Sequence, residues 1–154
     1  MIIKRGTRAA RSVLGNDFAD VWYTFVRSFN QLNVPSRSFT DVFSDDQDKV
    51  RADAEKQFFG HVDSLLEQLK ILRGIVMKQA KSSEGKIKDA LLSLNENLSD
   101  TQRDLDEITG DKEDIKKKKE FKSAFGVMKY TVEGSLLDAR DNLYLLASLK
   151  NTKK

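Results

Sequence analysis

Cysteine is missing from all 154 residues, and proline and histidine occur once each. A chain without thiols forms no disulfide, no thiolate zinc site and no cysteine nucleophile. It also tolerates any redox environment, so its compartment is not fixed by this feature. Long apolar runs are absent too. Stretches such as Val21–Tyr23 and Leu143–Ala147 fall far short of the roughly 20 residues a membrane-spanning helix needs. Nor does an apolar run of secretory-signal length follow the first charges, so the sequence reads as not secreted. Scarce proline with 33% charged residues argues against a β-sandwich and for long solvated helices.

What is present is charge in blocks and apolar residues at helical spacing. Net charge is only +3. Lys4, Arg5, Arg8 and Arg11 are basic with no acid among residues 1–15, whereas 41–55 and 96–114 are acidic overall. Residues 116–129 turn basic again. Such alternation suits helices that pair with each other or with charged neighbours, not the uniformly basic surface of a dedicated nucleic-acid binder.

Coiled as a helix, the first 14 residues divide into two faces. Ile2, Gly6, Ala9 and Val13 share one stripe, flanked by Ile3, Ala10 and Leu14; Lys4, Arg8 and Arg11 lie opposite, with Arg5 at their edge. Three readings fit a basic amphipathic segment of this kind: an organelle-import presequence, a retained arm on an anionic surface or a neighbouring subunit, and a solvated tail.

Beyond Gly15, with Asn16 or Asp17 as N-cap, the set Phe18, Val21, Trp22, Phe25, Val26, Phe29, Leu32 predicts an aromatic-rich helix over 17–32. Asn33-Val34-Pro35 should end it. Capping signatures at Ser38–Asp41 and Ser44–Gln47 predict a short helical turn and then a long helix over 45–80. Its seam is Ala54, Phe58, Val62, Leu65, Leu69, Leu72 and Val76, widened by Phe59, Leu66, Ile71 and Ile75. Ser82–Gly85 is the expected break. Ile87, Leu91, Leu94, Leu98, Leu105 and Ile108 continue the spacing, with Thr101 in the one missing seam position and Gly110 as terminator. A last helix over 112–149 is lined by Ile115, Phe121, Phe125, Met128, Val132, Leu136, Ala139, Leu143 and Leu146, with a bend expected at Gly134-Ser135.

Motifs for chemistry are thin. Any histidine-based catalysis or zinc site would have to use His61, near Asp63 and Glu67, and an imidazole beside a helical seam reads as a structural side chain. Asp45, Asp46 and Asp48 lack the glycine and bidentate glutamate of a calcium loop in register, and suit the first turn of a helix. The run Lys116, Lys117, Lys118, Lys119 could hold phosphates, yet Glu113 and Asp114 stand four residues before Lys117 and Lys118, in the favoured orientation for helix ion pairs. No phosphate-loop, dinucleotide or nucleophile-elbow pattern occurs.

The sequence therefore predicts an all-α fold: an elongated antiparallel bundle of three long, coiled-coil-like helices plus the aromatic-rich helix. It divides into a basic segment (1–15), one bundle domain (16–150) and a basic tail (151–154). The expected role is that of a non-enzymatic subunit of a larger protein assembly, with no cofactor or metal. Its partners would be other protein subunits, in a homo- or hetero-oligomer, and an anionic, organellar (mitochondrial) membrane surface. The residues expected to touch partners or that surface are Lys4, Arg5, Arg8, Arg11, Trp22, Tyr23, Phe59 and Lys116–Lys119. The alternative is a nucleic-acid-coating or filament-forming capsid-type protein, with the arginines and the lysine run on phosphates. A third option is a lipid-surface coat.

Overall fold

The computed structural model describes residues 6–36, 48–110 and 118–152. It contains four long helices: α1 (Thr7–Asn30), α2 (Asp48–Lys81), α3 (Gly85–Gly110) and α4 (Lys118–Thr152). Each packs on two others, α1 on α2, α2 on α3, α3 on α4 and α4 back on α1, so the bundle is a closed ring. Neighbours run antiparallel. His61 of α2 meets Ser28 near the end of α1, whereas Lys78 lies beside Asp17 near the α1 break. Asn142 of α4 bonds Asn97 of α3, and Lys129 bonds Asn33 just past α1. The aromatic-rich helix is thus the fourth member of the ring.

Helix positions follow the apolar spacing closely. All seven α2 seam residues from Ala54 to Val76 are buried, as are Leu91, Leu94, Leu98, Leu105 and Ile108 of α3. So are Met128, Val132, Leu136, Ala139, Leu143 and Leu146 of α4. Burial of each large side chain contributes about 1.5–3 kcal/mol, which is why an unbroken seam fixes the facing side of every helix. Thr101 completes the α3 seam with no exposure, and its hydroxyl donates to Asn97 O at 2.9 Å, satisfying the one polar atom the seam buries. Ile71 departs from the expected stripe and is 51% exposed.

Helix ends have local causes. Gly15, at φ 90° and ψ 177°, breaks α1 in a backbone region open essentially to glycine alone. Beyond Asn30 the chain makes a turn and one more helical turn at 33–36, in which Pro35 falls among the first residues, where a missing N–H costs no hydrogen bond. Past α2, the Ser82 and Ser83 hydroxyls both donate to Gln79 O, at 3.1 and 2.8 Å. Gly85, at φ 64°, then reverses the chain into α3. α4 is helical straight through Gly126 and Gly134, so the bend expected at Gly134-Ser135 does not interrupt it. The capping signatures at 38–41 and 44–47, and Ile115, lie outside the described residues.

The basic N-terminal segment is where structure and expectation diverge most. Ala9, Ala10, Val13 and Leu14 are buried in the same core as the rest of the bundle, so residues 7–14 are not a unit apart from it. The Gly15 break turns this arm back along its own helix, which brings Arg11 within 3.3 Å of Asp20. Gly6 lies against Arg140 and Tyr144 of α4, while Val13 meets Lys150 one helix turn and more further on. The arm therefore runs with α4, and residues 16–30 run against it.

Candidate docking site

His61 is half-buried, and its Nε2 lies 2.9 Å from Ser28 O, tying α2 to α1. Asp63 and Glu67 are exposed. Among the described residues no group of three or more His, Asp or Glu side chains is placed to hold a metal ion. An open groove of about 660 Å³ at the α2–α3 turn is lined by Lys81, Ser82, Ser83, Glu84, Lys88 and Lys150 among others. Both its serine hydroxyls are committed to Gln79 O, and Lys150 is committed to Val13 O. These are groups that close helix ends.

The aromatic residues expected at a partner contact are mostly inside. Trp22 is fully buried and stacks on Phe18 with ring centroids 6.3 Å apart. Phe59 is 7% exposed and meets Phe58 edge-on at 5.1 Å, and Phe58 meets Phe125 at 5.8 Å. Trp22 and Phe59 thus present no surface to a partner, because the ring closes over both. Tyr23, pointing away from the Trp22 stripe, does reach the surface.

Of the basic residues, Arg8 and Arg11 are exposed on the arm. Lys4, Arg5, Lys116 and Lys117 lie outside the described residues, as do Asp45 and Asp46, while Lys118 and Lys119 open α4. Lys150 donates to Val13 O at 2.6 Å, setting a cation on a carbonyl two residues before the Gly15 break. The docked arm also carries a cost. Among the described residues neither Thr7 Oγ1 nor Arg140 Nε has a hydrogen-bond partner, although both atoms are buried. An orphaned buried polar atom costs about 1–3 kcal/mol.

A surface that the sequence reading did not single out lies on the outside of α4. Tyr130 is 79% exposed, Val127 64%, Tyr144 50% and Leu145 47%. At 100° per residue these side chains, with half-buried Leu137 and the exposed Gly126 and Gly134, fall on one face opposite the buried seam. Between Ser123 and Ser148 the only charged residues exposed are Asp138 and Asp141. The other long helices carry more charge, although α2 also exposes Gly60, Ile71 and Gly74, and α3 exposes Leu92. Lys56, Asp63, Glu67, Lys70, Lys78 and Lys81 coat α2, and Lys86, Lys88, Asp89, Glu96, Arg103 and Glu107 coat α3. Cβ atoms built at Gly126 and Gly134 meet nothing within 4 Å among the described residues. Each glycine costs its helix about 1 kcal/mol relative to alanine, and no internal contact explains either one. The signal was in the sequence: a second apolar row in α4, out of phase with the seam.

No helix among the described residues is long and apolar enough to cross a membrane. No family model, curated protein or solved structure matches the chain.

Proposed function

We propose that this chain is a non-enzymatic structural subunit, held in a larger protein assembly by a partner helix laid along the outer face of α4. The observation that carries the reading is the row Val127, Tyr130, Leu137, Tyr144 and Leu145, left uncovered on a bundle whose other faces are charged. Exposed apolar side chains with aromatic anchors, interrupted on this face by the one carboxylate Asp141, match the composition of an interface. The two glycines on that face would let a second backbone approach closely, which offsets the helix stability they sacrifice. Against catalysis stands the commitment of the lone histidine to a backbone carbonyl between two helices.

The test is purification from the native source, with a Tyr130→Glu/Leu145→Glu variant as control and sedimentation analysis of each. Native chain should carry a stoichiometric protein partner, another chain or a second copy, and the variant should lose it while keeping its helical content. A native chain that sediments as a monomer and carries no stoichiometric partner overturns the reading.

A further inference from the structure

A second surface, which meets the α4 row only at Tyr144, carries an inference whose readout is lipid binding and not a protein partner, so either can fail without the other. We propose that residues 7–14 form a releasable arm with two alternative resting places, its own bundle and an anionic phospholipid surface.

The arm has the composition for both. Its apolar side, Ala9, Ala10, Val13 and Leu14, is buried in the bundle, and its outer side carries Arg8 and Arg11 with no acid. The sequence ahead of it, Ile2-Ile3-Lys4-Arg5, is drawn from the same two residue classes. A basic helix of this pattern sets its apolar side at the headgroup boundary and its cations among the headgroups. Single-stranded nucleic acid would satisfy the arginines and leave the apolar stripe uncovered, so lipid is the better match.

Four observations mark the docked position as one the arm can leave. Two of its four buried apolar residues are alanines. Among the described residues, buried Thr7 Oγ1 on the arm and buried Arg140 Nε on α4 have no hydrogen-bond partner, and both would regain water on release. Its ion pair, Arg11 with Asp20, is a surface pair with both side chains more than half exposed (54% and 72%), which is worth little. The hinge is a single glycine: with Gly15 in helical geometry, α1 becomes one straight helix of 24 residues that carries the arm off the bundle. The main polar tether is Lys150 on Val13 O. Lipid binding and docking use the same apolar side chains, so the two positions exclude each other.

The experiment uses the full chain and vesicles of phosphatidylcholine, with and without equimolar phosphatidylglycerol. The chain should float with the anionic vesicles and not with the neutral ones. Arg8→Glu/Arg11→Glu should weaken partitioning at least about tenfold, whereas Lys150→Met, which cuts the tether, should strengthen it severalfold. Because the chain has no cysteine, Gly6→Cys/Arg140→Cys introduces one unambiguous disulfide across the arm–α4 contact, where a Gly6 Cβ would sit 3.1 Å from Arg140 Cγ. The oxidised form should stay off the vesicles, and reductant should restore binding, with circular dichroism confirming the fold in both states. Three results overturn the proposal: no anionic-vesicle binding by the unaltered chain, equal binding of the oxidised and reduced forms, or binding to single-stranded RNA in place of vesicles.

Discussion

At the scale of single residues, Trp22 shows how burial and polarity oppose each other. Its ring is fully buried against Phe18, yet among the described residues its Nε1 has no hydrogen-bond partner. Truncation to alanine opens a large cavity and should cost about 3–5 kcal/mol. Trp22→Phe removes the orphaned N–H along with part of the ring. The relief of about 1–3 kcal/mol then offsets most of the smaller cavity, and the net change should stay within about 1 kcal/mol. Urea unfolding followed by far-ultraviolet circular dichroism measures both, since the substitution deletes the chain's one tryptophan and with it the fluorescence signal. If the phenylalanine variant loses as much as the alanine variant, the indole N–H has a partner such as an internal water. Thr101 is the contrasting case: equally buried, but with its hydroxyl on the carbonyl four residues back, it leaves nothing unsatisfied.

At the scale of helices, α4 carries two faces with different consequences, and Gly134 separates them. A methyl there meets nothing within 4 Å among the described residues, so Gly134→Ala should stabilise the free chain by about 1 kcal/mol. That is a rise of roughly 2–4 °C in melting temperature for a domain of this size. On the docked face the same methyl stands between two backbones and should weaken partner binding. Calorimetry of the chain alone and of its complex will show whether the signs are opposite. A gain in both would mean that no backbone approaches at Gly134. The inner face of each helix was legible from spacing alone, from Ala54 through Val76 in α2 to Met128 through Leu146 in α4. The break after Gly15 was legible as well, because the stripe of residues 6–14 and that of 18–32 differ in phase by about 130° at 100° per residue. What covers a stripe was not legible. The pattern of Ala9, Val13 and Leu14 is the same whether the neighbour is a membrane, a partner or the chain's own α4. Tyr130 and Leu145, for their part, fall outside the seam spacing and so escape a search for seams. For the same reason Trp22 and Phe59, read as contact residues from their aromaticity, prove to be core: a closed ring has an inside for every helix.

At the scale of the whole molecule, the ring and the arm should differ in how cooperatively they open. Helices α1, α2, α3 and α4 each pack on two neighbours, with Leu, Phe and Val side chains fully buried in one core, so opening one exposes the seams of two others. That coupling predicts one shared opening free energy for the ring, close to its global stability. The arm holds on through two alanines, Val13 and Leu14, one surface ion pair and the Lys150 tether. Its amide hydrogens should therefore exchange by local opening, at least about tenfold faster than those of the α3 seam, and without dependence on low denaturant. Lys150→Met should speed exchange in residues 7–14 and leave residues 91–105 unchanged. Hydrogen–deuterium exchange with peptide-level mass spectrometry measures both segments in one experiment, with no lipid present. Exchange of the arm at the same rate as Leu94 and Leu98 would mean that it unfolds only with the bundle, and a latch that opens only by global unfolding could not trade places with a membrane surface.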